Sequence, residues 1–175
     1  MPRTEGRIKS LLWPSIQNGN DVDYLGAQGY WVCALVAVGS FVLSIMSGHP
    51  FVGVFVLLFY YLGGVGVREH SRYAAVVVLV LYLADSFFSV PGPARVMIGG
   101  VLLSNLRATW IASSWKPESN EAIAIPRFGD TWSDKFVDEF PMWLWPKVRI
   151  SYYVLSVSLL AMTSLGLVIL YRRHA

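Results

Sequence analysis

Residues 24–67 read YLGAQGYWVCALVAVGSFVLSIMSGHPFVGVFVLLFYYLGGVGV and hold no Lys, Arg, Asp or Glu. As a helix rising about 1.5 Å per residue, such a run measures roughly 66 Å, twice the ~30 Å hydrocarbon core of a bilayer. Gly48-His49-Pro50 breaks it near the middle, where proline cannot continue a helix from the preceding turn. The run therefore predicts two back-to-back crossings, 30–47 and 51–67. A second uncharged run, residues 150–171, is long enough for one more.

The same reading extends outward from this pair. Arg68-Glu69-His70-Ser71-Arg72 closes the second crossing and opens a third apolar stretch, 73–90, which meets Pro91-Gly92-Pro93. A fourth, 95–113, carries Arg95, Asn105 and Arg107, and the fifth is 151–171. No alternation of period two supports a barrel, so helices are the way to satisfy this much backbone in lipid. The expected fold is all-α: one integral membrane helical bundle over 1–175, with five transmembrane helices and a 114–150 loop.

Composition agrees. Of 175 residues, 55% are hydrophobic and 14% charged, where a soluble domain carries about a quarter charged. The net charge of +3 comes from bases dispersed in ones and twos, so no nucleic-acid surface is expected. A single cysteine, Cys33, forbids an internal disulfide and a thiol-rich metal site. The first apolar run lacks the short core and small-residue cleavage site of a secretory signal, and is expected to stay as an anchor.

Orientation follows from Lys and Arg. With five crossings, one side holds Arg3, Arg7, Lys9, Arg68, Arg72, Lys116, Arg127, Lys135, Lys147 and Arg149; the other holds Arg95, Arg172 and Arg173. The imbalance puts the N-terminus in the cytoplasm and the C-terminus outside.

Within the 114–150 loop, Trp132, Phe136, Val137 and Phe140 share one helical face, and Asp134, Lys135, Asp138 and Glu139 the other. Thr131 followed by Asp134 resembles a capping box, and Pro141 is expected to end an interfacial amphipathic helix over 131–140. Leu11-Leu12-Trp13-Pro14 and Trp143-Leu144-Trp145-Pro146 both precede a span on the same side. They read as interfacial anchors, or as a paired partner-binding surface with the acids of 131–140.

Polar groups at membrane depth are costly and are the places where chemistry could sit. Asp85 is the one acid inside a span and is expected to pair with Arg95 across the Pro-Gly-Pro turn. Arg107 is expected to snorkel to the inner interface. Asp85 with Asn105 is the alternative, a proton or ion relay. His49, His70 and His174 lie in turns or at the terminus, divided between the two sides, so no metal site is expected. No nucleophile-elbow sequence occurs, and Gly63-Gly64-Val65-Gly66 precedes a turn rather than opening a helix, which argues against a phosphate loop. No catalytic residue and no cofactor are assigned. The clearest pattern is steric: Gly100, Ser104, Ala108 and Ala112 recur every fourth residue, a strip on which another helix can approach closely, with Asn105 beside it to donate across. That strip faces either the chain's own bundle or another subunit, including a second copy.

Ser71-Arg72-Tyr73-Ala74-Ala75-Val76, the apolar run to Tyr82, Gly99-Gly100 and Leu106-Arg107-Ala108-Thr109 resemble a pattern of small multi-pass bacterial membrane proteins of uncharacterised function. The likeness covers about 51–116, with Ala108 standing where such sequences often have Gly. It implies a bacterial inner-membrane protein with a helical hairpin pair, and Arg72 and Arg107 at the cytoplasmic interface. The expected function is an accessory or scaffolding component acting through helix packing. A small transporter or channel component using Asp85 and Asn105 is the alternative, and a membrane-embedded enzyme the third reading.

Overall fold

The computed structural model describes residues 16, 19–87, 92–114 and 132–174. They form five helices in chain order: α1 Gly19–Met46, α2 Pro50–Arg68, α3 Arg72–Phe87, α4 Pro93–Ser114 and α5 Trp132–His174. No strand occurs among the described residues.

The breaks are local chemistry. After α1, Gly48 takes φ +79°, a left-handed value that glycine adopts without a Cβ clash, and the His49 N–H closes back on the Ser44 carbonyl at 2.8 Å. Pro50 then occupies the first turn of α2, where its missing N–H costs nothing. At the other end of α2 the Ser71 N–H reaches the Gly66 carbonyl at 2.9 Å, with His70 left-handed at φ 54°. A left-handed non-glycine residue is strained, and it is held here between two packed helices.

The start of α1 differs from the expected span at 30–47: the helix begins at Gly19, with Asp21 in its first turn where an acid suits the helix dipole. A larger difference concerns 131–140. Pro141 does not end that helix; it and Pro146 lie inside the single 43-residue α5, which merges the expected surface helix with the expected fifth span. Each proline removes a backbone hydrogen bond, but Val137, Pro141, Trp145, Tyr152 and Ser156 form one buried stripe at helical spacing. Burial of that stripe offsets the missing bonds.

The bundle is arranged around α2. Its last turns, residues 63–68, are buried on every side. Gly63, Gly64 and Gly66 make this geometry. A Cβ on Gly63 would lie 2.5 Å from Val78 of α3 and 3.0 Å from the Tyr152 hydroxyl of α5. One on Gly64 would lie 2.7 Å from Cys33 of α1, and one on Gly66 2.5 Å from Trp145 and 2.6 Å from Ala74. Three helices close on three faces of one glycine-rich turn. α4 packs on α1 at Gly29, where a Cβ would meet Asn105 at 2.5 Å and Val67 of α2 at 2.8 Å, and α4 also packs on α3.

The last helix does not run alongside its neighbours. Phe136 meets Tyr30 and Trp31 of α1, Asp138 and Trp145 meet α2, and Tyr153 and Ser156 meet Tyr73 of α3. Twenty-odd residues of α5, about 30 Å, are thus spent on one half of the bundle, so α5 crosses α1, α2 and α3 obliquely.

Among the described residues three helices are long and apolar enough to cross a membrane: Asp21–Met46, Pro50–Arg68 and Lys135–Gly166. Their outer faces are apolar and uncovered, as at Leu35, Leu43, Phe51, Phe55, Met162 and Leu165. Such continuous apolar exposure marks a surface that meets lipid or protein rather than water. The described part of α3 has 16 residues, about 24 Å, and the apolar character of the continuous α4 is interrupted by Arg95, Asn105 and Arg107.

Candidate functional site

The most concentrated polar chemistry lies where α2 ends. Arg68 is 2% exposed, and its Nη1 donates to the Asp23 carboxylate of α1 at 2.9 Å and to the Asp23 backbone carbonyl at 3.3 Å. Its Nη2 donates to the Asp138 carboxylate of α5. His70 Nε2 stands 3.6 Å from the same Asp23 oxygen. The hairpin of α1 and α2 brings Asp23 level with the end of α2. Gly26 leaves the space, since a Cβ there would meet Arg68 Nη1 at 3.3 Å and His70 at 3.1 Å. A guanidinium can serve two carboxylates at once because its donors fan out in a rigid plane. One buried cation therefore ties three helices at a single point.

This corrects the reading of Asp138 as a solvent-facing acid: it is buried. Lys135 and Glu139 of that face are exposed; the side chain of Asp134, like all of Trp13, lies outside the described residues. Sequence reasoning placed Arg68 in a surface turn and missed its role. The available signal was that Asp138, Pro141, Trp145 and Tyr152 are spaced three, four and seven apart, one continuous stripe on a helix that runs through its prolines.

Aromatic rings flank the ion cluster. Trp132, Phe136 and Phe140 stack in sequence at 5.6 and 5.5 Å, Trp143 follows at 6.1 Å, and Lys147 Nζ sits 3.5 Å over the Trp143 ring. Phe136 and Phe140 pack on Tyr30 and Tyr61, whereas Trp132 and Trp143 are exposed. Trp145 departs from the interfacial role expected for it: it is buried against Gly66 and Ala74, because the turn carrying it belongs to the inner stripe of α5.

Asp85 and Arg95 are brought together at the α3–α4 end, Nη1 to Oδ2 at 3.6 Å, and the Tyr82 hydroxyl donates to the Arg95 carbonyl at 3.3 Å. Asn105 is elsewhere: ten residues along α4, about 15 Å from Arg95, it is buried beside Gly29. The sequence points to a bond from Asn105 across the helix interface; among the described residues its side-chain donor is turned to its own helix. Its Nδ2 donates to the Val101 carbonyl of its own helix at 3.0 Å, and the Thr109 hydroxyl donates to the Asn105 carbonyl at 2.9 Å. Arg107, two residues beyond Asn105, is half-buried.

In the small-residue strip Ser104 and Ala108 are buried, at 0% and 2% exposure, while Gly100 and Ala112 are half-buried. The helices that α4 meets most are α1 and α3. Further links between helices run from Tyr30 to Tyr61, hydroxyl to hydroxyl at 3.3 Å, and from Tyr73 to Ser156 at 2.8 Å. Among the described residues no cluster of three or more His, Cys, Asp or Glu could hold a metal ion. The chemistry of this arrangement is cohesive: ion pairs and hydroxyls join helices that apolar packing alone would leave free to slide. Comparison of the chain with protein-family models, curated proteins and solved structures finds no match.

Proposed function

We propose that this chain is a five-span inner-membrane protein of bacterial type that acts as an accessory or scaffolding component, presenting a rigid bundle rather than a reaction centre. The observation that carries the reading is the Arg68 cluster, which uses the buried charges Arg68 and Asp138 to lock α1, α2 and α5 together. A relay would need polar groups in sequence along a path. Here Asp85 is engaged with Arg95, and Asn105 with its own helix. The membrane setting is supported by three long apolar helices and by their uncovered apolar faces. In this reading α3 and α4 cross as well, and α5 crosses through its uncharged residues 150–171, about 33 Å long. The Arg68 end is cytoplasmic by the excess of bases on that side.

The partner in this reading is another membrane subunit or a second copy. It meets the cytoplasmic-side surface of α5, where Trp132, Trp143 and Glu139 are exposed. Photo-crosslinking from position 139 in intact cells, together with ion- and proton-flux measurements on reconstituted vesicles, tests the reading. A stoichiometric crosslinked subunit and no flux are expected. Flux that disappears in Asp85→Asn, with no crosslinked subunit, would replace the scaffold by a transport component.

A further inference from the structure

One outer face of α3 is uncovered from its first turn almost to its last. Arg72, Val76, Val80 and Leu83 are exposed and fall at helical spacing, a single apolar stripe headed by a base. From Arg72 to Leu83 it runs about 16 Å, close to half of a ~30 Å hydrocarbon core. The guanidinium of Arg72 lies over the exposed Trp110 ring of α4, 5.4 Å from its centre. That contact fixes the cation at the head of the stripe without a carboxylate.

Other bases stand at the same level. Arg107 precedes Trp110 by three residues on α4. On the opposite flank the Tyr73 ring meets Tyr153 of α5 at 4.7 Å, and Arg149 is exposed one turn before Tyr153. Glu69 is the acid nearest to Arg72 in sequence. Among the described residues neither Arg72 nor Arg149 has a carboxylate within ion-pair distance, in contrast to Arg68 and Arg95.

Charge and depth together select the occupant. We propose that this face holds an anionic phospholipid of the cytoplasmic leaflet, its phosphate bound by Arg72 and one acyl chain along Val76, Val80 and Leu83. A guanidinium presents paired N–H donors that match phosphate oxygens. A stripe as deep as one leaflet matches one acyl chain. Phosphatidylglycerol brings the net negative charge that Arg72 and Arg149 leave unbalanced. In phosphatidylethanolamine and phosphatidylcholine the headgroup amine cancels the charge of the phosphate. An acidic protein segment would satisfy the bases but leave the apolar stripe uncovered.

The proposal rests on the membrane reading and is tested separately from it. Purified full-length protein is mixed with dioleoyl-phosphatidylglycerol, -phosphatidylethanolamine or -phosphatidylcholine, and bound lipid is counted by native mass spectrometry. Phosphatidylglycerol is expected to be retained about fivefold better than either of the others, the value of one base at the headgroup layer. Arg72→Gln, at an exposed position, is expected to erase most of that preference. Arg172→Gln removes the same charge at the far end of α5 and is expected to leave it intact. Phosphatidylglycerol with a photoactivatable acyl chain is expected to label α3 between residues 76 and 83. Labelling confined to other helices, or equal losses in the two variants, overturns the site. Equal retention of the three lipids by the wild-type chain also overturns it, and would leave the bases to an acidic protein partner. Extraction of the protein from vesicles by carbonate would instead overturn the membrane reading, whatever the lipid result.

Discussion

The guanidinium of Arg68, in the last turn of α2, donates to the carboxylate of Asp138, seventy residues further along the chain in α5. Both side chains are shielded from solvent, at 3% and 8% exposure, and Asp23 completes the set from α1 at 41%. Taking one partner from a buried pair leaves the other charge uncompensated, which is more damaging than replacing both.

Asp138→Asn is therefore expected to destabilise the bundle by about 3 kcal/mol, toward the low end for a buried pair because Asp23 remains on Arg68. Arg68→Met is expected to cost a similar amount, and Arg68→Met with Asp138→Leu less than the two changes summed. Denaturant titration in detergent reads all three. Strict additivity would show that the pair is not coupled. Glu139→Lys, next along the chain but exposed, is expected to change stability by less than about 0.5 kcal/mol.

Gly66→Ala places a methyl group 2.5 Å from Trp145 and 2.6 Å from Ala74. A loss of about 1–3 kcal/mol is expected from overpacking, with partial recovery when Trp145→Phe is added. Gly39→Ala is the control, since nothing lies within 4 Å of its Cβ position. It is expected to be neutral or to stabilise by up to about 1 kcal/mol, because alanine loses less backbone entropy in a helix.

Ser104→Leu and Ala108→Leu introduce bulk at positions 0% and 2% exposed. Each is expected to lower the thermal midpoint of the protomer by several degrees while leaving the mass of the assembly unchanged. A change of assembly mass at constant thermal midpoint would show that the strip serves a contact between subunits.

Hydrophobic periodicity made four of the helices legible, with boundaries within three residues where Gly48, Pro50 and Pro93 punctuate the chain and displaced by eleven at Gly19. What stayed hidden depends on distant partners. Gly63, Gly64 and Gly66 lie in an unremarkable apolar run, and only α1, α3 and α5 closing on them shows why they are glycines. Asp138 and Trp145 carry the residue types of a wet helix face and an interfacial anchor, yet the inner stripe of α5 buries both. Local propensity at Pro141 likewise yields to that stripe. The Asp85–Arg95 approach was readable because a short turn forces neighbours together; the Arg68 cluster joins residues up to 115 apart in number.

Asp85→Asn affects a pair that solvent reaches, with Asp85 64% exposed, so its loss is expected to cost about 1 kcal/mol or less. Insertion into membranes should be unaffected, as read by carbonate resistance. A variant that no longer inserts would show that Asp85 does more than pair.

The topology of the bundle is tested most directly by labelling single cysteines in intact cells with a membrane-impermeant maleimide. In a Cys33→Ala background, Ser47→Cys and Arg172→Cys should react from outside, and Glu139→Cys only after the membrane is opened. That pattern requires α5 to cross between 139 and 172 and to end on the side of the α1–α2 turn. Arg172→Cys and Glu139→Cys labelling together, with Ser47→Cys on the opposite side, would mean that α5 does not cross and would contradict the five-span scaffold.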